Sequence, residues 1–376
     1  MFSAKSTKIV FTTDSLNRGG KERQLFILAK SLSDKGFYLR IIAKKFSREN
    51  YFKEYGLAPE IIKIFKGETW LKKFQCFRKI IISEKPDLLI SWDFQTSFFA
   101  LLLHKRYSFI FVNFSIQHGI RQFNISHILR NLICLISPYN IANSYAGLQA
   151  NSLKLGKRRF VLYNGIEDKF INTLTKATKE KRRNQLIPGY ALKPGTVYVT
   201  VANLVPFKDY FTVLKVLNKL KEQNSFYYLI IGDGSMRDEI VAAIKEYGLE
   251  KRIILTGKIE NVSDYLFIGD IMIHSSRGEG ISNAILEGMY SGLPVIATNV
   301  GGIPETVFPG SSLLFPYKNQ EALLENLLNA PKLFADFDKE SEEYKKHLSK
   351  FSVDTMVNKF EDIIRQVSEE AKGNRI

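Results

Sequence analysis

Two spacings of apolar residues alternate along this chain of 376 residues. Short, nearly continuous apolar runs recur: KIVFTT (Lys8–Thr13), YLRIIA (Tyr38–Ala43), DLLISW (Asp87–Trp92), FIFVNF (Phe109–Phe114) and FVLYNG (Phe160–Gly165). Such runs suit strands buried on both faces. Between them the period lengthens. In ERQLFILAKSL (Glu22–Leu32), Leu25, Leu28, Ala29 and Leu32 fall on one helical face. The pattern lapses over Asn172–Gly195, a polar, charged stretch with Pro188, Gly189, Pro194 and Gly195, which reads as a linker region holding a short helix. It then restarts with VYVTVANL (Val197–Leu204), FYYLIIGDG (Phe226–Gly234), RIILTG (Arg252–Gly257), IMIHSS (Ile271–Ser276), PVIATN (Pro294–Asn299) and SLLFP (Ser312–Pro316).

Strands alternating with helices predict parallel sheets covered by helices. The reading is therefore α/β, with two halves, 1–168 and 169–351, each owning a sheet. No short-period repeat is present. A last amphipathic segment, Ser352–Glu370, groups Met356, Phe360, Ile363, Ile364 and Val367 on one face and needs a partner surface to bury them. The terminal KGNRI reads as frayed.

Bulk composition is that of a globular protein, with 45% hydrophobic and 24% charged residues. The charge distribution changes the picture. Net charge is +16, and residues 1–168 carry 27 Lys and Arg against 12 Asp and Glu, which is +15 of it. That half should be drawn to a polyanion or an anionic membrane surface. The two cysteines, Cys76 and Cys134, lack metal-ligand spacing and suit a reducing compartment. The apolar segment after Lys5 and Lys8 meets Asp14 too soon for a signal peptide, and the longest apolar run, Phe98–Leu103, is far too short to span a bilayer. The expected location is cytoplasmic, on the inner face of the membrane if it meets one.

The chemistry concentrates in SRGEGISNAILEGMYSGLPVIATNVGG (Ser276–Gly302). A strand ends near Ser276, a glycine-flanked turn carries Glu279, and a helix starts near Ser282. The N–H groups and dipole of that first turn favour an anion above the strand ends. A carboxylate beside a diphosphate would repel it, so Glu279 makes sense as an acceptor for neutral hydroxyls. Glu287, inside the helix, can take a vicinal diol such as that of a ribose. Taken alone, a capping acid and a solvated helix residue explain both glutamates as well. They are not alone. NLVPFKD (Asn203–Asp209) sets Lys208 after a strand end, where one cation can meet a phosphate. GDGSMR (Gly232–Arg237), TGKIENV (Thr256–Val262) and VGGIPETV (Val300–Val307) are further glycine turns, whose glycines let backbone come close to a ligand.

With these four blocks in order, Val197–Val307 resembles the donor-binding domain of retaining GT-B glycosyltransferases of family 4. The E-x7-E spacing of Glu279 and Glu287 matches that family's signature. The resemblance implies two Rossmann-like domains facing across a cleft, with the C-terminal helix crossing back to the N-terminal domain. It implies that Glu279 contacts the donor sugar, with the N–H groups of Gly280, Ile281 and Ser282 near sugar and diphosphate. It gives Glu287 the ribose, Lys208 the diphosphate and Ile259 the base, with Gly232 in a donor-facing turn. The family usually has an arginine where this chain has Asn203, so Lys208 must neutralise more of the phosphate. Gly288 stands where alanine is more common, at some cost in helix propensity.

In the first half, NRGGKERQ (Asn17–Gln24) resembles the family's GGxE loop, with Gly19 and Gly20 facing phosphates and acceptor; a plain helix-start turn is the bland alternative. IQHGI (Ile116–Ile120) carries His118, which matches a histidine near the transferred sugar, although a lone histidine is more often structural. IANSYAG (Ile141–Gly147) and YNGIED (Tyr163–Asp168) resemble family blocks too, while residues 44–84 match least. There, LKKFQCFRKIIISEK (Leu71–Lys85) as a helix separates Leu71, Phe74, Phe77 and Ile81 from Lys72, Lys73 and Lys79, a form suited either to a membrane interface or to packing on a sheet.

The reading is a retaining, metal-independent glycosyltransferase with no cofactor. It moves a hexose-type sugar from a nucleotide sugar, UDP before GDP, to a glycan or lipid-linked acceptor. Catalytic candidates are His118, Glu279 and Lys208. The D-x-D at Asp336–Asp338 lies in an acidic helical tail and not at a strand end, so it does not read as a manganese site. Three rivals stand beside this reading. A sugar-nucleotide 2-epimerase shares the architecture. A DNA glucosyltransferase would suit the charge but lacks a nucleic-acid-reading module. A nicotinamide dehydrogenase would need a G-x-G-x-x-G after the first strand, which TTDSLNRGG does not supply.

Overall fold

The computed structural model describes residues 7–17, 19–45, 51–120, 125–171, 174–187 and 194–373. The chain divides into two compact units, Met1–Gly165 with Phe351–Ile376, and Ile166–Lys350. The division falls three residues before the expected one.

The first unit is built on β1 (Lys8–Ser15), β2 (Tyr38–Lys45), β3 (Ile62–Ile64), β4 (Leu88–Ser91), β5 (Ile110–Ile116), β6 (Tyr139–Ala142) and β7 (Arg159–Val161), in the order β3-β2-β1-β4-β5-β6-β7. Every pairing is parallel. Helix Gly20–Asp34 buries Leu25, Leu28, Ala29 and Leu32, as its periodicity predicts. The C-terminal helix, Val353–Gly373, lays Met356, Phe360, Ile363, Ile364 and Val367 on the same core, where Phe360 meets Phe11 of β1 at 6.2 Å between ring centres. Asn374–Ile376, the end of the segment expected to fray, lies outside the described residues.

The second unit holds β8 (Thr196–Val201), β9 (Phe226–Ile231), β10 (Ile253–Gly257), β11 (Ile271–His274), β12 (Val295–Thr298) and β13 (Ser312–Phe315), ordered β10-β9-β8-β11-β12-β13 and again all parallel. The order reverses between β8 and β11, the topological switch point at which open α/β sheets bind ligands. The supposed linker is no free tether. Within it, helix Lys176–Leu186 belongs to the second unit, and its buried Arg183 donates from Nε to the Ile268 carbonyl (2.9 Å) and pairs with Asp270. Residues 172, 173 and 188–193 of that stretch lie outside the described residues.

Candidate functional site

Two loops meet at the carboxyl ends of β8 and β11. After β8 the chain passes exposed Asn203 and a short turn, Pro206–Lys208, before helix Tyr210–Leu220. After β11 it runs from Ser275 to Ser282 before helix Asn283–Tyr290. The loops are stitched together. The Arg277 N–H donates to the Phe207 carbonyl (2.8 Å), and the Ser275 hydroxyl donates to the Lys208 carbonyl (3.0 Å). Thr298, at the end of β12, donates its hydroxyl to the Ser276 carbonyl (2.7 Å) and accepts from the Ser276 N–H (3.2 Å).

This stitching brings Lys208 and Glu279 into an ion pair, with side chains only 13% and 17% exposed. The Ser276 hydroxyl donates to the same carboxylate oxygen at 3.2 Å, and His274 Nε2 lies 3.4 Å from it. Burial opposes ionisation of Glu279. The Lys208 ammonium, helped by His274, overrides it and holds the carboxyl far below the usual carboxylate range. Burial, then the nearby Lys208 charge, lowers the His274 pKa against the opposite pull of Glu279, so the imidazole is neutral near pH 7. The cluster is thus a fixed anion, a cation and a neutral ring.

The Glu279 backbone is pinned from the β12 side. Its carbonyl accepts from the Gly302 N–H (3.0 Å). Gly301 has φ of 54°, and a Cβ there would sit 2.2 Å from that carbonyl oxygen, so this position demands glycine. Gly280, Ile281 and Ser282 are buried in the same loop. Ser282 is the N-cap residue of helix Asn283–Tyr290 but makes no side-chain capping bond; its hydroxyl lies 3.4 Å from His274 Nε2 instead. The positive end of the helix therefore opens at this loop. Glu287 is buried further along the helix.

Lys208, Glu279 and Gly280–Ser282 come together at the switch point. Gly232 and Ile259 belong to the next strands outward, after β9 and β10. The glycine at 232 (φ 141°) answers a local need: a Cβ would lie 2.0 Å from the Ala202 carbonyl oxygen, and its N–H donates to Gly257 (3.1 Å). Its close approach is to β8. Sequence reasoning missed His274 and Ser276. Their signal was present: alternate residues at the end of an otherwise apolar run point to one side of the sheet.

The other expected site residues lie in the first unit. Gly19 precedes helix Gly20–Asp34, and its carbonyl accepts from the Arg23 N–H (3.0 Å). The loop is braced by buried Glu22, which accepts from the Ser15 hydroxyl (2.9 Å), and by Lys21, which pairs with Asp14 (2.6 Å). His118 is exposed in the loop after β5 and lines a small polar cavity with Ser115, Gln117, His127 and Arg130. Asp336 and Asp338 are exposed, and Asp338 accepts from the Glu340 N–H (2.8 Å) as a turn former.

Residues 170–344, nearly all of the second unit, match the family model "Glycosyl transferases group 1". The chain is 27% identical over 175 residues to the O-antigen biosynthesis glycosyltransferase WclY of Escherichia coli, covering 46% of this chain and 47% of that one. It is 30% identical over 116 residues to N-acetyl-alpha-D-glucosaminyl L-malate synthase of Bacillus anthracis, covering 31% and 30%. The chain thus spans half or less of the length of these curated relatives. Solved structures align over nearly everything. Anabaena Alr3699/HepE in complex with UDP superposes with a TM-score of 0.80 at 20% identity, over 96% of this chain and 100% of that one. Sucrose-phosphate synthase from Thermosynechococcus elongatus gives 0.77 at 17%, over 96% and 99%. The chain therefore has the GT-B fold, and its residues 170–344 match the group 1 glycosyltransferase model.

Proposed function

We propose that this chain is a retaining glycosyltransferase that moves a hexose-type sugar from a nucleoside diphosphate sugar, UDP foremost, to a glycan or lipid-linked acceptor in cell-surface polysaccharide or glycolipid synthesis. The observation that carries the reading is the Lys208–Glu279 cluster at the switch point of the family-matched sheet, beside the N-terminus of helix Asn283–Tyr290. UDP in the HepE structure and O-antigen synthesis in the name of WclY support the donor and acceptor classes.

On donor binding, Lys208 leaves Glu279 for the diphosphate, joined by the N–H groups around Gly280, Ile281 and Ser282. Glu279, held as an anion, accepts from hydroxyls of the transferred sugar. Glu287 takes the ribose hydroxyls, Ile259 lies by the base, and Asn203 and Gly232 flank the diphosphate side. For Gly19, Gly20 and His118 the roles implied by the family resemblance are kept as part of this reading. The bond from the anomeric carbon to the phosphate oxygen breaks as the acceptor oxygen bonds to that carbon on the same face, and the acceptor's proton passes to the departing phosphate oxygen. Charge on the leaving group is carried by Lys208 and the helix dipole, so the reaction runs without a metal or cofactor. The enzyme works at the inner face of the cytoplasmic membrane, and nucleic acid is not its partner.

A screen of UDP- and GDP-sugars for slow hydrolysis, with and without EDTA and followed by NMR of the anomeric proton, tests this. Nucleoside diphosphate released with α-sugar from an α-linked donor, unaffected by EDTA, is expected. Interconversion of UDP-sugars with no acceptor would establish the epimerase reading instead, and no turnover of any nucleotide sugar would overturn the assignment.

A further inference from the structure

Most of the apolar face of helix Trp70–Glu84, suspected of meeting a membrane, packs on the sheet, while Trp70 and Leu71 at its start stay exposed. Its Phe77 and Ile81 are buried and Phe74 packs beside them, in a cluster with Phe65 and Phe99. Among the described residues, a continuous exposed apolar face belongs to helix Ile125–Ile136, whose Ile125, Ile128, Leu129, Leu132, Leu135 and Ile136 are all 47–77% exposed. These positions fall on a single arc at helical spacing.

This helix is inverted relative to an ordinary surface helix. Its inward side buries His127 and Cys134 beside a single large aliphatic residue, Ile133, over a network in which the Asn113 amide donates to Asn140 (2.8 Å) and the Asn140 amide to the Cys134 carbonyl (2.8 Å). A helix that turns polar groups to the protein and leucines outward is matched to an apolar medium. The patch continues across helix Phe94–Leu103, where Leu102 is exposed, to exposed Trp70, whose ring lies 5.8 Å from that of Phe98.

The surrounding charge selects the medium. Between Asp93 and Glu167 the chain has eight Lys and Arg and no Asp or Glu. Among them Lys105, Arg106 and Arg130 are exposed, Arg130 lying 6.0 Å from the Phe94 ring. Apolar side chains flanked mainly by cations, with exposed Glu68 near Trp70 paired to Lys72 (3.0 Å), are complementary to a bilayer with anionic headgroups. A second copy of the chain would set these like charges against each other.

We propose that helix Ile125–Ile136, with Leu102 and Trp70 beside it, inserts into the headgroup region of an anionic membrane. His127 and Arg130 of the same helix line the His118 cavity, so docking brings that cavity to the lipid surface. The inference deepens the proposed function and rests on it only for the lipid-linked acceptor.

The test is co-sedimentation of the full chain with vesicles of phosphatidylcholine alone or mixed with phosphatidylglycerol, alongside UDP-sugar hydrolysis without vesicles. Binding to the mixed vesicles at least tenfold above the neutral ones is expected, with a blue shift of Trp70 emission. Ile128→Glu with Leu132→Glu should abolish it and leave hydrolysis unchanged. The milder Ile125→Ser, at the most exposed position, should weaken it several-fold if the double variant fails to fold. Equal or negligible binding to both vesicles, undiminished binding by the variants, or a dimer that Leu132→Glu dissociates would overturn the proposal. Vesicle binding without hydrolysis would instead count against the enzymatic reading alone.

Discussion

Lys208 and Glu279, 71 residues apart in sequence, form a largely buried ion pair at the carboxyl ends of β8 and β11. The pair keeps two groups of opposite use charged and in place. Under the proposed function, a donor's diphosphate would compete with Glu279 for the ammonium, and a sugar hydroxyl would then replace the ammonium on the carboxylate.

Removing either partner has separable effects on stability and turnover. Lys208→Ala leaves Glu279 in a site where burial disfavours it, at a cost of roughly 3 kcal/mol. Loss of leaving-group stabilisation should lower kcat by about 100-fold or more. Lys208→Met with Glu279→Gln should regain most of the stability and none of the turnover. Urea unfolding and donor hydrolysis read the two; a double variant as active as the parent would contradict the assignment.

His274 makes stability pH-dependent. Its folded-state pKa lies below the ordinary 6.5, so the unfolded chain takes up the proton first as pH falls. The contribution is complete above pH 6.5 and declines below it, by at most about 1.4 kcal/mol per pH unit. His104 and His347 are lowered too and act in the same sense. Glu279 adds its own loss only below its unfolded value of 4.5. Unfolding at pH 7.5, 6.5 and 5.5 should show a shallower slope for His274→Asn than for the parent, and identical slopes would count against a neutral buried ring.

Gly301 supports Glu279 through the backbone. Gly301→Ala combines a left-handed φ with a clash on the Glu279 carbonyl, and should cost roughly 2 kcal/mol and displace Glu279. Gly36→Ala is the control: φ is 85° but nothing lies within 4 Å of the added Cβ. It should lose about 1 kcal/mol and no activity. Equal activity in both variants would show that the turn does not position Glu279.

Gly288 has a packing reason. A Cβ there would meet Met272 Sδ at 2.3 Å, so the methionine of β11 fills the space an alanine would take. Gly288→Ala should destabilise despite its better helix propensity, and Gly288→Ala with Met272→Val should recover part of the loss, as thermal melts would show.

Much of this was legible in the sequence. All six strands of the second sheet stand out because each is an apolar run between amphipathic helices. β3 was not, being three half-buried residues at a sheet edge. Nor was β6, whose Asn140 breaks the apolar pattern and whose side chain is satisfied by Asn113 and by the Cys134 carbonyl. In the candidate site, Lys208 and the glycine-flanked Glu279 stand out in the sequence, but not that these two pair, since that depends on the stitched loops. The outward face of helix Ile125–Ile136 was unreadable for a related reason. Periodicity shows that a stripe exists, and only the tertiary structure shows which way it points.

The central claim is that the wall formed by Lys208, Glu279 and helix Asn283–Tyr290 seats a nucleoside diphosphate sugar. A crystal structure of the chain soaked with UDP tests it most directly. The expected result has Lys208 turned from Glu279 to the diphosphate, the phosphates at the helix N-terminus and Glu287 on the ribose hydroxyls; UDP bound elsewhere, with the Lys208–Glu279 pair intact, would contradict it.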